Sequence, residues 1–245
     1  MNTQATLEKL QQMKLHGMVH RYKTILDLAA HQQPESMHQL IALLTDAEAE
    51  YRNENRSIRN LRRSKLRYDA TIEDVICSKE RNLTKETIIT LSDCSFVKKG
   101  HGILIVGPSG SGKSFLACAL GRMACQQGYQ VLYLRMNKFI RDLQAARLDG
   151  TLAKKMRTME RSHILIFDDF GLQKLEPDIR LIFMDILEDR YGKSTTIVTS
   201  QLPVAKWYES IGENPSVADG IMDRLTSNAH RIELKGGSLR KRKPA

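Results

Sequence analysis

The sequence predicts an α/β protein: a three-layer α/β/α sandwich around a five-stranded parallel sheet, preceded by a small all-helical N-terminal domain. Three observations predict it. From about residue 96 onward, short apolar runs alternate with helical patterns, as parallel strands joined by crossover helices read in sequence. Before residue 96 the periodicity is helical only. A glycine-rich turn over 107–114 sits between an apolar run and an alanine- and leucine-rich helix, where a βα unit places a ligand-holding turn.

In chain order, Leu7, Leu10, Met18, Tyr22, Ile25 and Leu26 form an apolar stripe over residues 5–30, a first helix or helix pair. His16 and His20 stand four apart on it. Gly17 follows the first histidine where a metalloprotease signature needs glutamate, so they read as surface or interface residues. After Pro34, Ser36-Met37-His38-Gln39 has the form of a capping box and opens a helix with Leu40, Ile41, Leu43, Leu44 and Ala47 inward. Its continuation carries Arg52, Arg56, Arg59, Arg62, Arg63, Lys65 and Arg67 against the single acid Glu54, too one-sided for ion pairing along the helix. This reads as a phosphate-facing helix; the bland alternative is a solvated connector. The expected organisation is a helical domain over 1–68 that binds partner or DNA, a linker over 69–95, the α/β domain over 96–237 and a basic tail over 238–245.

The predicted strands are Ile103 to Val106, Val131 to Leu134, Ile164 to Phe167, Thr196 to Thr199 and His230 to Leu234. After the first comes Gly107-Pro108-Ser109-Gly110-Ser111-Gly112-Lys113-Ser114, which fits the P-loop pattern in the strand–turn–helix context that its mechanism requires. The glycines let backbone N–H groups point inward at phosphates, and the helix N-terminus adds its dipole. Lys113 would bridge the β- and γ-phosphates of ATP, and the Ser114 hydroxyl would ligate Mg²⁺. Phe115 follows at the edge of the same site. The third strand ends in Asp168-Asp169, a carboxylate pair that is costly beside a sheet without a cation. In a Walker B reading Asp168 orients Mg²⁺, directly or through water, and Asp169 polarises the attacking water. The fourth strand ends in Thr199-Ser200-Gln201 at the ligand-binding edge of the sheet, where Ser200 and Gln201 together are candidates to sense the γ-phosphate. Arg224, within Met222-Asp223-Arg224-Leu225, is either a surface arginine or a finger reaching a neighbouring subunit's nucleotide.

The formal charge of +10 over 245 residues favours polyanionic partners, nucleic acid first. No apolar run approaches the roughly 18–20 residues of a membrane span, and the polar N-terminus has no signal-peptide layout, so cytoplasmic residence is expected. The cysteines at 77, 94, 118 and 125 lack zinc-site spacing and read as reduced thiols.

Together these residues resemble an AAA+ ATPase of the DnaA/DnaC clade, and within it the IstB-type helper ATPases encoded by insertion sequences. The resemblance spans nearly the whole chain. It rests on Leu40-Ile41-Ala42-Leu43-Leu44, on Ala47-Glu48-Ala49-Glu50-Tyr51-Arg52, and on the P-loop. It rests further on Phe167-Asp168-Asp169-Phe170-Gly171-Leu172, on Thr199-Ser200-Gln201-Leu202-Pro203 with Trp207, and on Asp223-Arg224-Leu225. It implies an ATP- and Mg²⁺-dependent homo-oligomer on duplex DNA that assists a cognate transposase in target selection, with Arg224 at the arginine-finger position. It also implies a helical insertion before Walker B. Residues 137–162 supply it, and their Lys138, Arg141, Arg147, Lys154, Lys155 and Arg157 join Arg56, Arg59, Arg62 and Arg63 as the expected DNA-contacting set. Ser114-Phe115 stands where many members have Thr-His, and Ser238-Leu239-Arg240 resembles the family's ending, with Arg240 a candidate phosphate contact. The chain stops soon after Leu234, so no separate helical lid is expected. The alternatives are a DnaC-like replicative helicase loader, and a protein that binds ATP only as a structural switch; intact Lys113, Asp168 and Asp169 weigh against the latter.

Overall fold

The computed structural model describes residues 2–212 and 214–239, apart from the side chain of Ala30. The chain divides into two compact units, Met1–Arg59 and Asn60–Ala245.

In the first unit, α1 (Thr3–Gln12) and α2 (His16–Leu26) precede α3 (Met37–Ser64), so the boundary at Arg59 falls inside a helix rather than at 68. Ser36 opens α3 as predicted: its hydroxyl accepts the Gln39 N–H at 3.2 Å, and the Gln39 side chain accepts the Glu35 N–H at 2.8 Å. Gly17 lets α2 cross α3 closely, since a Cβ there would stand 2.3 Å from the Ala47 carbonyl. The N-terminus of α2 has no side-chain cap of its own. Buried Glu48 supplies one from α3, accepting the N–H groups of Gly17 (2.8 Å) and Met18 (3.3 Å) while Arg52 Nε donates to it at 2.7 Å. Burial opposes the Glu48 carboxylate, but Arg52 and these N–H groups outweigh it, and the acid lies below its ordinary pKa. His16 and His20 are both exposed, and His16 packs its ring on Tyr51 at 5.7 Å.

The second unit holds all five predicted strands: β1 (Gly102–Val106), β2 (Val131–Arg135), β3 (Ile164–Phe170), β4 (Thr195–Ser200) and β5 (Ala229–Glu233), all parallel, in the order β2-β3-β4-β1-β5. Helices α4 (Lys85–Ser92), α5 (Ser95–Lys98) and α6 (Lys113–Gln126) belong to one layer. Helices α7 (Met136–Leu148), α8 (Leu152–Glu160), α9 (Pro177–Arg190), α10 (Trp207–Ile211) and α11 (Pro215–Thr226) belong to the other. Along β3 the side chains alternate as a buried strand requires: Ile164 and Ile166 pack toward α6, Leu165 and Phe167 toward α9. Residues 69–95, expected as a linker, instead pack on the sheet layer through Ala70, Leu83, Ile88 and Leu91, all buried. A connector with that many apolar side chains gains more from burial than from hydration. The insertion predicted over 137–162 is the α7–α8 pair, and α7 follows β2 with no intervening loop. Among the described residues no helix is long and apolar enough to cross a membrane.

Candidate active site

Because β1 lies between β4 and β5, with β3 beyond β4, the carboxyl ends of β1, β3 and β4 are neighbours. Three motifs far apart in sequence meet there. The turn after β1 carries Gly110 (φ +80°) and Gly112 (φ +90°) in the left-handed region, and a Cβ on Gly110 would fall 2.2 Å from Ser238 Oγ. Gly112 is the N-cap of α6 and offers no side-chain cap, so the first turn of α6 presents its backbone N–H groups and dipole to the turn. Lys113 is buried, and its Nζ donates to the Pro108 carbonyl at 2.9 Å, folded back on the loop.

Beside the turn is a cavity of about 290 Å³ with a mixed lining. Tyr68, Val75, Ile76, Leu83, Phe115 and Leu116 supply apolar surface; Ser109, Gly110, Gly112, Lys113, Ser114, Asp169 and Gln201 supply polar groups. The rings of Tyr68 and Phe115 lie 6.2 Å apart. The apolar surface suits a planar base and the polar groups a polyphosphate, and the glycine cradle would be filled by any Cβ, so the residues present fit a nucleoside triphosphate. The hydroxyl of Ser114 is an oxygen donor of the kind that holds Mg²⁺, and the carboxylate of Asp169 lines the same cavity.

The two Walker B carboxylates are not equivalent. Asp168 continues the alternation of β3 onto the α6 face and is fully buried. Tyr133 donates its hydroxyl to Oδ2, Thr199 Oγ1 donates to Oδ1 at 2.6 Å, and the Arg67 guanidinium stands 3.7 Å from Oδ2. Burial, reinforced by the Asp168 carboxylate, pushes the Tyr133 phenol well above its ordinary pKa, which keeps it protonated and donating. The β3–β4 register shifts between Phe167 and Phe170, and in that bulge Asp169 takes φ +62° and turns to line the cavity. A second cavity of about 150 Å³, lined by Asn137, Ile140, Leu172 and Gln173, opens on the other side of Asp169.

Gln201 lines the nucleotide cavity, but Ser200 does not. Its buried hydroxyl donates to the Phe170 carbonyl at 2.7 Å and accepts the Leu202 N–H at 3.1 Å, which corrects its expected role as a phosphate sensor. The strand simply extends one residue further than the apolar pattern marks, and Ser200 is needed to close it. Arg224 lies away from the cavity, on a shallow pocket with Gly100, Gly102 and Asn228 at the amino ends of β1 and β5. Glu188 (2.6 Å) and Asp223 (3.0 Å) pair with it, and its guanidinium stands 5.6 Å from the centre of the Tyr191 ring.

Of the expected DNA-contacting residues, Arg56 and Arg59 are exposed in the first unit; Arg62, Arg63, Lys138, Arg141, Lys154 and Arg157 are exposed in the second. Three are engaged within the protein: Lys155, half-buried, donates to the Asp142 carbonyl, Arg147 pairs with Asp178, and Arg141 Nε donates to the Asn137 carbonyl at 3.3 Å. Arg240 and the tail after it lie outside the described residues. Sequence reasoning missed Tyr133 and Arg81, and it read Arg67 with the phosphate-facing run, whereas that residue stands beside Asp168. Arg81 braces the P-loop by donating to the Ser111 carbonyl at 2.5 Å and to Ile76 O at 2.6 Å.

A family model described as IstB-like ATP binding protein matches residues 8–245. An insertion sequence ATP-binding protein of Sinorhizobium fredii is 40% identical over 98% of this chain and 96% of its own length. The ATP-binding protein of insertion sequence IS1162 from Pseudomonas fluorescens is 37% identical over 83% of this chain and 88% of its own. Among solved structures, the DnaC helicase loader superposes with a TM-score of 0.57 at 19% identity, covering 69% of this chain and 98% of that one. DnaA bound to AMPPCP and single-stranded DNA gives 0.60 at 20% identity, covering 71% and 52%. At such identities these structures support the fold alone, a parallel α/β sandwich. The chain belongs to the IstB-like ATP-binding proteins, P-loop ATPases carried by insertion sequences.

Proposed function

We propose that this chain is an ATP- and Mg²⁺-dependent DNA-binding ATPase of the cytoplasm that assembles as a homo-oligomer on duplex DNA and assists its transposase in selecting target DNA. The observation that carries the assembly step is the position of Arg224. It stands at the amino edge of the sheet, whereas Lys113, Ser114, Asp169 and Gln201 stand at the carboxyl edge. Five-residue strands separate the two edges by roughly 16 Å. Arg224 therefore meets a γ-phosphate only on a second copy, and a head-to-tail contact of this kind generates a ring or a filament.

In this reading Gly107, Pro108, Ser109, Gly110, Ser111 and Gly112 wrap the phosphates, and Phe115 borders the base. Lys113 leaves the Pro108 carbonyl for the β- and γ-phosphates. When bound, Mg²⁺ neutralises phosphate charge; Ser114 would hold it, and Asp168, which does not line the cavity and whose oxygens Tyr133 and Thr199 bond, would act on it through water. Asp169 orients the attacking water, Gln201 senses the γ-phosphate, and Arg224 from the neighbour stabilises the charge of the transition state. The exposed Arg56, Arg59, Arg62, Arg63, Lys138, Arg141, Lys154 and Arg157 bind phosphates of DNA, with Arg147 and Lys155 joining once released from their internal partners.

The test is steady-state ATP hydrolysis with duplex, with single-stranded DNA and with neither, alongside light scattering. Duplex-stimulated hydrolysis with ATP-dependent assembly is expected, and Arg224→Ala is expected to keep nucleotide binding and lose turnover. Duplex affinity should fall at least tenfold between about 50 and 200 mM salt, since several phosphate contacts release counterions. A preference for single strands would move the assignment to a helicase loader, and a flat salt response would remove the basic residues from DNA contact.

A further inference from the structure

We infer that Thr199 is a positioning residue for ATP hydrolysis, one hydroxyl that ties the Asp168 side chain to the Asp169 backbone and so sets where both carboxylates stand. The inference rests on the roles proposed above for those two residues.

A threonine hydroxyl has one proton to give and lone pairs to accept with. Here the proton goes to Asp168 Oδ1 at 2.6 Å, and a lone pair accepts the Asp169 N–H at 3.1 Å. Both uses follow from the bulge. Once the β3–β4 register slips between Phe167 and Phe170, the Asp169 amide leaves the ladder and needs another acceptor. The φ of +62° that swings Asp169 into the nucleotide cavity is uncommon for residues with a Cβ, although aspartate tolerates it better than most. Thr199 is the group that holds it from β4, and it is fully buried. The other oxygen of Asp168 takes the Tyr133 hydroxyl, so of the two acids Tyr133 bonds Asp168, whereas Thr199 bonds both. Valine has nearly the shape of threonine and lacks the hydroxyl; serine keeps the hydroxyl and lacks the methyl.

The experiment compares the full chain with Thr199→Val, Thr199→Ser and Tyr133→Phe. It reads kcat and KM for ATP at graded Mg²⁺, binding of a fluorescent ATP analogue with and without Mg²⁺, and the melting curve. Thr199→Val is expected to lose roughly 10- to 100-fold in kcat, the scale seen when a group that orients a ligand is removed. Its Mg²⁺-free analogue affinity should stay within about threefold, because the P-loop is untouched. Thr199→Ser should stay within about threefold of the parent in both. Tyr133→Phe, which serves also where the valine variant does not fold, should raise the Mg²⁺ concentration for half-maximal hydrolysis at least about threefold, a shift that Thr199→Ser does not share. Unchanged kcat in Thr199→Val overturns the inference. So does a serine variant as damaged as the valine one, which would make the methyl the important part, and so does Tyr133→Phe indistinguishable from Thr199→Ser. A parent chain without Mg²⁺-dependent hydrolysis, or Asp169→Asn as active as the parent, removes the roles given to the carboxylates and the inference with them.

Discussion

Replacing Arg190 by methionine tests what holds the α7–α8 insertion to the sheet. Arg190 ends α9, is 2% exposed, and has no carboxylate among its described partners. Its guanidinium donates instead to four backbone carbonyls: Met159 (2.9 Å), Ser162 (2.7 Å), His163 (3.3 Å) and Thr195 (2.6 Å). Met159 belongs to the last turn of α8, where its carbonyl also accepts the Ser162 N–H at 3.2 Å, and the His163 carbonyl also accepts the Thr195 N–H at 3.0 Å; the Ser162 and Thr195 carbonyls, leading into β3 and β4, depend most on Arg190. One side chain thus closes α8 and joins it to two strand starts. Methionine keeps the apolar stem but removes the short bonds to the Ser162 and Thr195 carbonyls, each costing about 1–3 kcal/mol when buried and unsatisfied. Against that, burial pushes the Arg190 pKa down to about 10, so the charged form already bears a penalty of about 3 kcal/mol that methionine relieves. With the weaker bonds to Met159, His163 and Thr196 lost as well, the balance is a destabilisation of about 1–3 kcal/mol, or roughly 2–12 °C in Tm for a chain of this size. Circular dichroism melts measure it. Hydrogen exchange should localise the loosening to α8 and the start of β3, while affinity for ATP stays unchanged, because Arg190 sits at the sheet edge away from the P-loop. A melting point at or above that of the parent would refute the reasoning.

Three further outcomes are expected. Glu48→Gln should cost about 1–2 kcal/mol near neutral pH through the lost Arg52 pair and weaker helix cap; because the folded carboxyl lies below its ordinary 4.5, the parent's advantage is present above that pH and disappears as pH falls below it, as urea titrations at about pH 7 and pH 3 would show. Of the four cysteines, half-buried Cys77 alone should react quickly with a disulfide reagent in the native protein, because Cys94, Cys118 and Cys125 are buried and burial raises their thiols, Cys94 and Cys125 to about 11; two or more fast thiols would contradict the packing. Gly110→Ala should weaken ATP binding at least roughly tenfold with little change in Tm, because φ +80° and the Ser238 contact leave no room for a Cβ; parent-like affinity in a titration calorimeter would show that the turn can adapt.

Much of the ATPase unit was legible because its signals are local. Four apolar runs became strands to within a residue at each end and the third ran three residues further, to Phe170, while the P-loop motif carries its own turn, helix start and phosphate chemistry. The insertion was legible from two helical periods, and Ser36 from its cap pattern. Arg190, Arg81 and Tyr133 were not, since a lone arginine or tyrosine acquires its role from carbonyls and carboxylates brought near by strand pairing, and nothing adjacent in sequence marks them. The unit boundary inside α3 was equally hidden: helical periodicity runs unbroken through Arg59, and only packing tells which end of a long helix belongs to which core.

The carboxylate pair shows where the two kinds of information separate. Read as a motif, Asp168-Asp169 is one chemical feature; read as a strand, it is two residues on opposite faces, since side chains of a regular strand alternate. Regular alternation would send Asp168 toward α6 and Asp169 into the apolar layer with Phe167 and Phe183, where an unpaired carboxylate is prohibitively costly. The bulge resolves this conflict by adding one residue to β3, which returns Phe170 to that layer and lets Asp169 reach the cavity instead. A second acid at the end of an otherwise apolar strand is thus itself evidence for an irregular strand end. It also requires a partner strand that supplies hydrogen bonds the ladder can no longer make, and the polar run Thr199-Ser200-Gln201 does so: Thr199 serves Asp168 and Asp169, Ser200 serves Phe170, and Gln201 alone is left to face the nucleotide cavity.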